Sequence, residues 1–66
     1  MCEASAYLEQ GGQETLLLSD VELLKAGEKG RIDMWDIFGE QKSVAGYIKE
    51  INFTTHKIII REKENP

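Results

Sequence analysis

The stretch ASAYLEQGGQETLLL, residues 4–18, places two strand-like runs on either side of a Gly-Gly pair. Ala4, Ala6 and Leu8 alternate with Ser5, Tyr7 and Glu9, the period-two signature of a half-buried strand, which is expected from Cys2 to Glu9. Gln10, Gly11, Gly12 and Gln13 then read as a tight turn, because adjacent glycines accept the positive φ values that a two-residue hairpin loop needs. A second strand follows over Glu14, Thr15, Leu16, Leu17 and Leu18.

The same pattern continues down the chain, and no helical period is sustained beyond about two turns. Val21 to Ala26 reads as a third strand, because Gly27, Glu28, Lys29 and Gly30 suit a tight turn into Arg31. A short helix capped by Ser19 or Asp20 is the alternative for the same residues. Arg31 to Phe38 alternates at first, then loses its alternation where Trp35, Ile37 and Phe38 crowd before Gly39. After a polar turn at Glu40, Gln41 and Lys42, a long strand runs from Ser43 to Phe53. Its parity changes midway: Val44, Gly46 and Ile48 share one face, and Ile51 and Phe53 fall on the other. Gly46 inside such a run marks a bulge or a sharp bend.

Thr54, Thr55 and His56 make the last turn, and Lys57 to Arg61 the last strand. Ile58 and Ile60 share one face of that strand while Ile59 points the other way between two cations. A two-sided strand in a small domain suggests a second buried surface, of the kind a dimer provides. Residues 62–66 form a polar tail. The expected fold is all-β, a small antiparallel barrel or sheet occupying residues 1–66 as one domain and pairing into a homodimer.

Composition supports the dimer on separate grounds. A domain of 66 residues buries only about 60% of the surface its unfolded chain exposes. Such domains are commonly reinforced by disulfides, metals or a second subunit. One cysteine cannot form an internal disulfide. Twelve acids against eight Lys and Arg give a net charge of -4, the wrong balance for phosphate neutralisation, so nucleic-acid binding is disfavoured. The first ten residues lack a basic segment followed by an apolar one, and no run approaches membrane-spanning length. A cytosolic protein is expected.

Catalytic chemistry has little to work with. The single histidine, His56, sits in a turn, and no spacing connects it to Cys2 as base and nucleophile. The glycine pairs lack the strand-to-helix setting of a phosphate loop, and no carboxylate run matches a calcium loop. Trp35, Phe38, Tyr47 and Phe53 read as core or interface residues rather than a base-stacking platform. A non-enzymatic protein is expected. A face bearing Arg31, Lys42 and Lys57 is the alternative, as a surface for RNA or protein.

Cys2 stands out by position as well as type. If Met1 is trimmed, one residue carries a free α-amine and a thiol, and these can close a five-membered chelate ring around a metal. Both titrate near neutral pH, so a metal can displace their protons. The main-chain nitrogen of Glu3 extends the set to planar nitrogen and sulfur donors. One chain offers too few donors for a closed zinc cage, whereas planar N and S donors suit nickel or copper. Two Cys2 residues at a dimer axis would hold one metal per dimer. A redox thiol forming an intersubunit disulfide is the remaining role for the same residue.

The Met1-Cys2 start, the length, the short strand running into Gly11-Gly12, the all-strand pattern and the acidic balance together resemble the CooT family. These are small nickel-binding accessory proteins associated with carbon monoxide dehydrogenase maturation. The resemblance implies a β-barrel homodimer that binds one Ni(II) between its subunits through the cysteine after the initiator methionine, here Cys2. It also implies carbon monoxide dehydrogenase as the client and selects nickel over copper, which the donors alone do not. HypC-like hydrogenase maturation chaperones also begin Met-Cys, but they follow it with an apolar, proline-containing segment. In this chain Glu3, Ala4 and Ser5 follow, and the single proline is Pro66.

Overall fold

Five strands account for the regular structure of residues 4–62, the part of the chain that the computed structural model describes. They are β1 (Ala4–Gln10), β2 (Gln13–Ala26), β3 (Arg31–Asp36), β4 (Gln41–Asn52) and β5 (Lys57–Glu62). Successive strands pair antiparallel in the order β1-β2-β3-β4-β5, and β5 returns to β1 to close a barrel. The fold is therefore all-β, as the alternation indicates. Closure comes through a parallel pair, with Ser5 opposite Lys57 and Glu9 opposite Arg61. The reason is parity: in a meander of five strands the first and last run in the same direction.

The β1–β2 turn is the one the glycine pair implies. Gly11 and Gly12 have φ of 54° and 81°, and Gln10 pairs with Gln13 across them. The next boundary differs from expectation. Glu14–Leu18 and Val21–Ala26 belong to one continuous strand, β2, and no helix interrupts it. Asp20 takes a φ of 54° within that strand. A short polar residue tolerates this left-handed conformation better than its apolar neighbours would. The bend lets the first part of β2 pair with β1 and the last part, Val21–Ala26, pair with β3.

Strand β4 is shared in the same manner. Gln41–Ala45 pairs with β3 and Gly46–Asn52 with β5. Gly46 stands at the changeover, and its amide donates to the Gly30 carbonyl at 2.7 Å. A Cβ there would collide with the Arg61 carbonyl oxygen. The parity change expected between Ile48 and Ile51 is present, as a register shift between Ile48 and Glu50 rather than at Gly46 itself.

Leaving the barrel, β3 ends at Asp36. Its buried carboxylate accepts from the amides of Phe38 at 2.9 Å and Glu40 at 2.8 Å, which explains the lost alternation after Trp35. Asn52 organises the β4–β5 turn similarly, its Oδ1 accepting from the amides of Thr54 and Thr55.

The core joins Ala6, Leu18, Ile32, Met34, Ile58 and Ile60, with Leu8, Leu17, Val21, Leu24, Val44 and Ile48 packed around it. Ile59 lies outside this cluster yet is only 5% exposed within a single chain. Its neighbours across the sheet are Tyr7 and Glu50. Lys57 on one side bonds Glu14 and lies 4.8 Å from the Tyr7 ring centre, and Arg61 on the other bonds Glu9. The stems of such long side chains cover apolar surface while their charges stay wet. Ile59 thus needs no second subunit to bury it, and that part of the dimer argument fails.

Gly46→Ala is expected to destabilise the fold by about 3 kcal/mol, because the β-carbon meets backbone that cannot rotate aside. Urea unfolding of the two proteins checks this; equal midpoints would remove Gly46 as the corner of the barrel.

Candidate functional site

Cys2 and Glu3, the residues singled out as metal donors, lie outside the described residues. The strand they lead into is described. At the start of β1, Ala4 pairs with Val21 of β2 on one side. On the other side the Ser5 amide donates to the carbonyl of His56 at 2.9 Å. The N-terminal root of the chain is thereby fixed against the β4–β5 turn.

An apolar cleft of about 260 Å³ opens at this root, lined by Ala4, Ile51, Phe53, His56 and Ile58 among others. Phe53 is 80% exposed and Ile51 also faces solvent. His56, in the turn that its sequence position indicates, has a φ of 57°. Among the described residues, no group of three or more His, Cys, Asp or Glu is placed to hold a metal ion.

The opposite end of β1 is polar. A groove of about 390 Å³ is lined by Glu9, Gln10, Gly11, Gly12, Arg61 and Glu62. The carboxylate of Glu9, whose side chain is 13% exposed, meets Lys49 Nζ and Arg61 Nη2, each at 2.7 Å. Hydrogen bonds from Lys49, and then from Arg61, hold the Glu9 carboxyl below its ordinary value. Lys57 is raised by its hydrogen bond to Glu14. These charges are engaged with each other across the sheet.

The basic face considered from sequence is not assembled. Arg31 bonds Asp33, and Lys57 bonds Glu14. On the shared strand β4, Arg31 pairs with Ala45 whereas Lys57 pairs with Asn52, seven positions further along. The four aromatic residues are likewise dispersed and absent from the core cluster. Trp35 is half-buried near Lys25, while Phe38 and Phe53 project from two different turns. No helix of the described residues is long and apolar enough to cross a membrane.

Comparison with known proteins gives these features a context. The family model described as "CO dehydrogenase accessory protein CooT" matches residues 1–61. The chain belongs to the CooT family. Among solved structures, a crystal structure of a chain assigned as CooT from Carboxydothermus hydrogenoformans superposes with a TM-score of 0.85. The two are 33% identical, and the alignment covers 96% of this chain and 100% of that one. No curated protein matches significantly. CooT membership accords with an accessory rather than a catalytic protein.

Sequence reasoning singled out Cys2, which lies outside the described residues, and placed His56 in a turn, where the structure has it. It missed that the His56 turn lies beside the start of β1, because that depends on β5 closing onto β1. The sequence pattern reads as six strands, and only the merging of Glu14–Leu18 with Val21–Ala26 into β2 gives the odd number that sets first and last strands parallel and puts both their starts at one end.

Because the folded Glu9 carboxyl titrates below its ordinary 4.5, its ionised form stabilises the fold above that pH. The contribution fades as pH falls through the lowered value. Glu9→Gln is therefore expected to be less stable than wild type near neutrality, with the gap closing in acid. Urea unfolding across a pH series checks it; a gap that stays constant to pH ~2 would contradict the assignment.

Proposed function

We propose that this chain is a nickel-binding accessory protein for carbon monoxide dehydrogenase maturation. It works in the cytosol as a homodimer of one-domain subunits, residues 1–66, without catalytic turnover. One Ni(II), the cargo, is shared by two subunits through the Cys2 thiolates, with the adjacent main-chain nitrogen of Glu3 as a further donor.

The observation that carries this reading is the family match. It begins at residue 1 and so includes Met1-Cys2, and Cys2 is the single thiol of the chain. Donor chemistry supports it, because thiolate and nitrogen donors suit nickel. One thiol per subunit makes a second copy part of the site rather than an addition to it. The cleft at Ala4 supports the pairing: a second subunit covering Ile51 and Phe53 would remove apolar surface from water where the two N-termini need to meet. The engaged cations of the barrel wall favour metal handling over nucleic-acid binding.

Calorimetric titration with Ni(II) tests the reading. Wild type is expected to bind one ion per two chains and Cys2→Ala to lose that binding; equal binding by the two proteins overturns the proposal. Mass spectrometry of the same sample establishes whether the Cys2 amine is free. Phe53→Glu is expected to shift the sedimentation of the metal-free protein toward monomer, and an unchanged dimer would exclude this cleft as the interface.

A further inference from the structure

Every main-chain amide of the β3–β4 turn from Asp36 to Glu40 is hydrogen-bonded. The Asp36 amide donates to the Glu40 carbonyl at 3.0 Å and the Gly39 amide to the Asp36 carbonyl at 3.1 Å. The amides of Phe38 and Glu40 donate to the buried Asp36 carboxylate. Ile37 ties the turn to β2, its amide donating to the Asp20 carbonyl at 3.0 Å. An Asp side chain that takes the amides two and four residues ahead holds such a turn in one shape.

The apolar side chains that this frame carries serve nothing inside the barrel. Ile37 is 55% and Phe38 80% exposed, and neither belongs to the core or to the residues packed against it. An aromatic side chain on a backbone already fixed loses little freedom when a partner covers it, and such anchors carry much of the binding energy at protein interfaces.

The surrounding charge states what kind of partner fits. Asp20 lies beside Ile37, Glu22 occupies the register shift of β2 next to Asp36, and Glu40 closes the turn. Residues 19–22 and 36–41 contain no Lys, Arg or His. The next cations on the paired strands, Lys25 and Lys42, stand opposite Asp33 and Met34, further back along β3. Among the described residues, Asp20, Glu22 and Glu40 take part in no ion pair, in contrast to Glu9, Glu14 and Asp33 on the barrel wall.

We propose that the Ile37-Phe38 turn docks the client enzyme, with Phe38 entering an apolar pocket whose rim carries Lys or Arg opposite Asp20, Glu22 and Glu40. This rests on the reading of the chain as an accessory protein for carbon monoxide dehydrogenase and names the surface that meets that enzyme. A second copy of the chain fits poorly here. Two-fold pairing at this turn would set the same three carboxylates against themselves, and like charges across an interface are costly. A subunit contact through Phe53 and a client contact through Phe38 use side chains of different turns.

Nickel-free carbon monoxide dehydrogenase is immobilised, and binding of wild type, Phe38→Ser and a Glu22→Lys, Glu40→Lys double variant is followed by biolayer interferometry at low and high salt. Circular dichroism and sedimentation first compare the fold and oligomeric state of each variant with wild type. Wild type is expected to bind, more weakly as salt rises. Phe38→Ser is expected to bind at least about thirtyfold more weakly, and the charge reversal to associate at least about tenfold more slowly. If Phe38→Ser does not fold as wild type, the charge reversal decides. Wild-type binding by both variants overturns the docking role of the turn and leaves the accessory role standing. A shift of Phe38→Ser to monomer assigns the turn to a second subunit and likewise overturns the proposal. Failure of the wild-type protein to bind the enzyme overturns the client reading and this inference together.

Discussion

Parallel pairing of β1 with β5 is the constraint on which the rest of the molecule depends. Without it the five-strand meander has two open edges and the apolar faces of β1 and β5 lack a common interior. With it, Ala6, Ile58 and Ile60 meet Leu18, Ile32 and Met34 in one core. Closure is possible in so short a chain because β2 and β4 each serve two neighbours. Each makes its change of partner at a residue that permits it: Asp20 at positive φ, and Gly46 where a side chain would meet the backbone of β5.

Closure also divides the barrel into chemically different ends. At one, Glu9, Lys49 and Arg61 neutralise each other around the Gly11-Gly12 hairpin. At the other, Ala4 lies beside exposed Phe53 and the His56 turn. The proposed metal chemistry and the proposed subunit contact both fall at this second end. A site with one thiol per chain requires a partner there, and an apolar surface there gives the partner something to bury. Nickel handling in this account depends on dimerisation, because one thiol per chain is half of a site.

Much of the fold was legible in the sequence because its signals are local. Gly11-Gly12 specified a hairpin through two positive φ values, and Gly46 marked a corner because only a missing side chain fits there. Asp20 was harder to read. A polar pair such as Ser19-Asp20 is compatible with a loop, a helix cap or a kinked strand, and the kinked strand is selected only by pairing to β1 and β3 at once. Ile59 misled for a related reason. It is flanked on its own strand by Lys57 and Arg61, which are ion-paired to Glu14 and Glu9 of other strands, and no sequence period reports on those pairings. Cys2 was singled out by its place in the chain and lies outside the described residues, whereas the proximity of His56 to the start of β1 is a product of closure and has no local signature.

The sharpest test is the composition of the nickel-bound species, measured by native mass spectrometry on the wild-type protein. The account predicts two chains carrying one nickel ion as the dominant loaded species. Nickel on isolated single chains, or two ions on each dimer, would contradict it, because each subunit would then hold a complete site of its own.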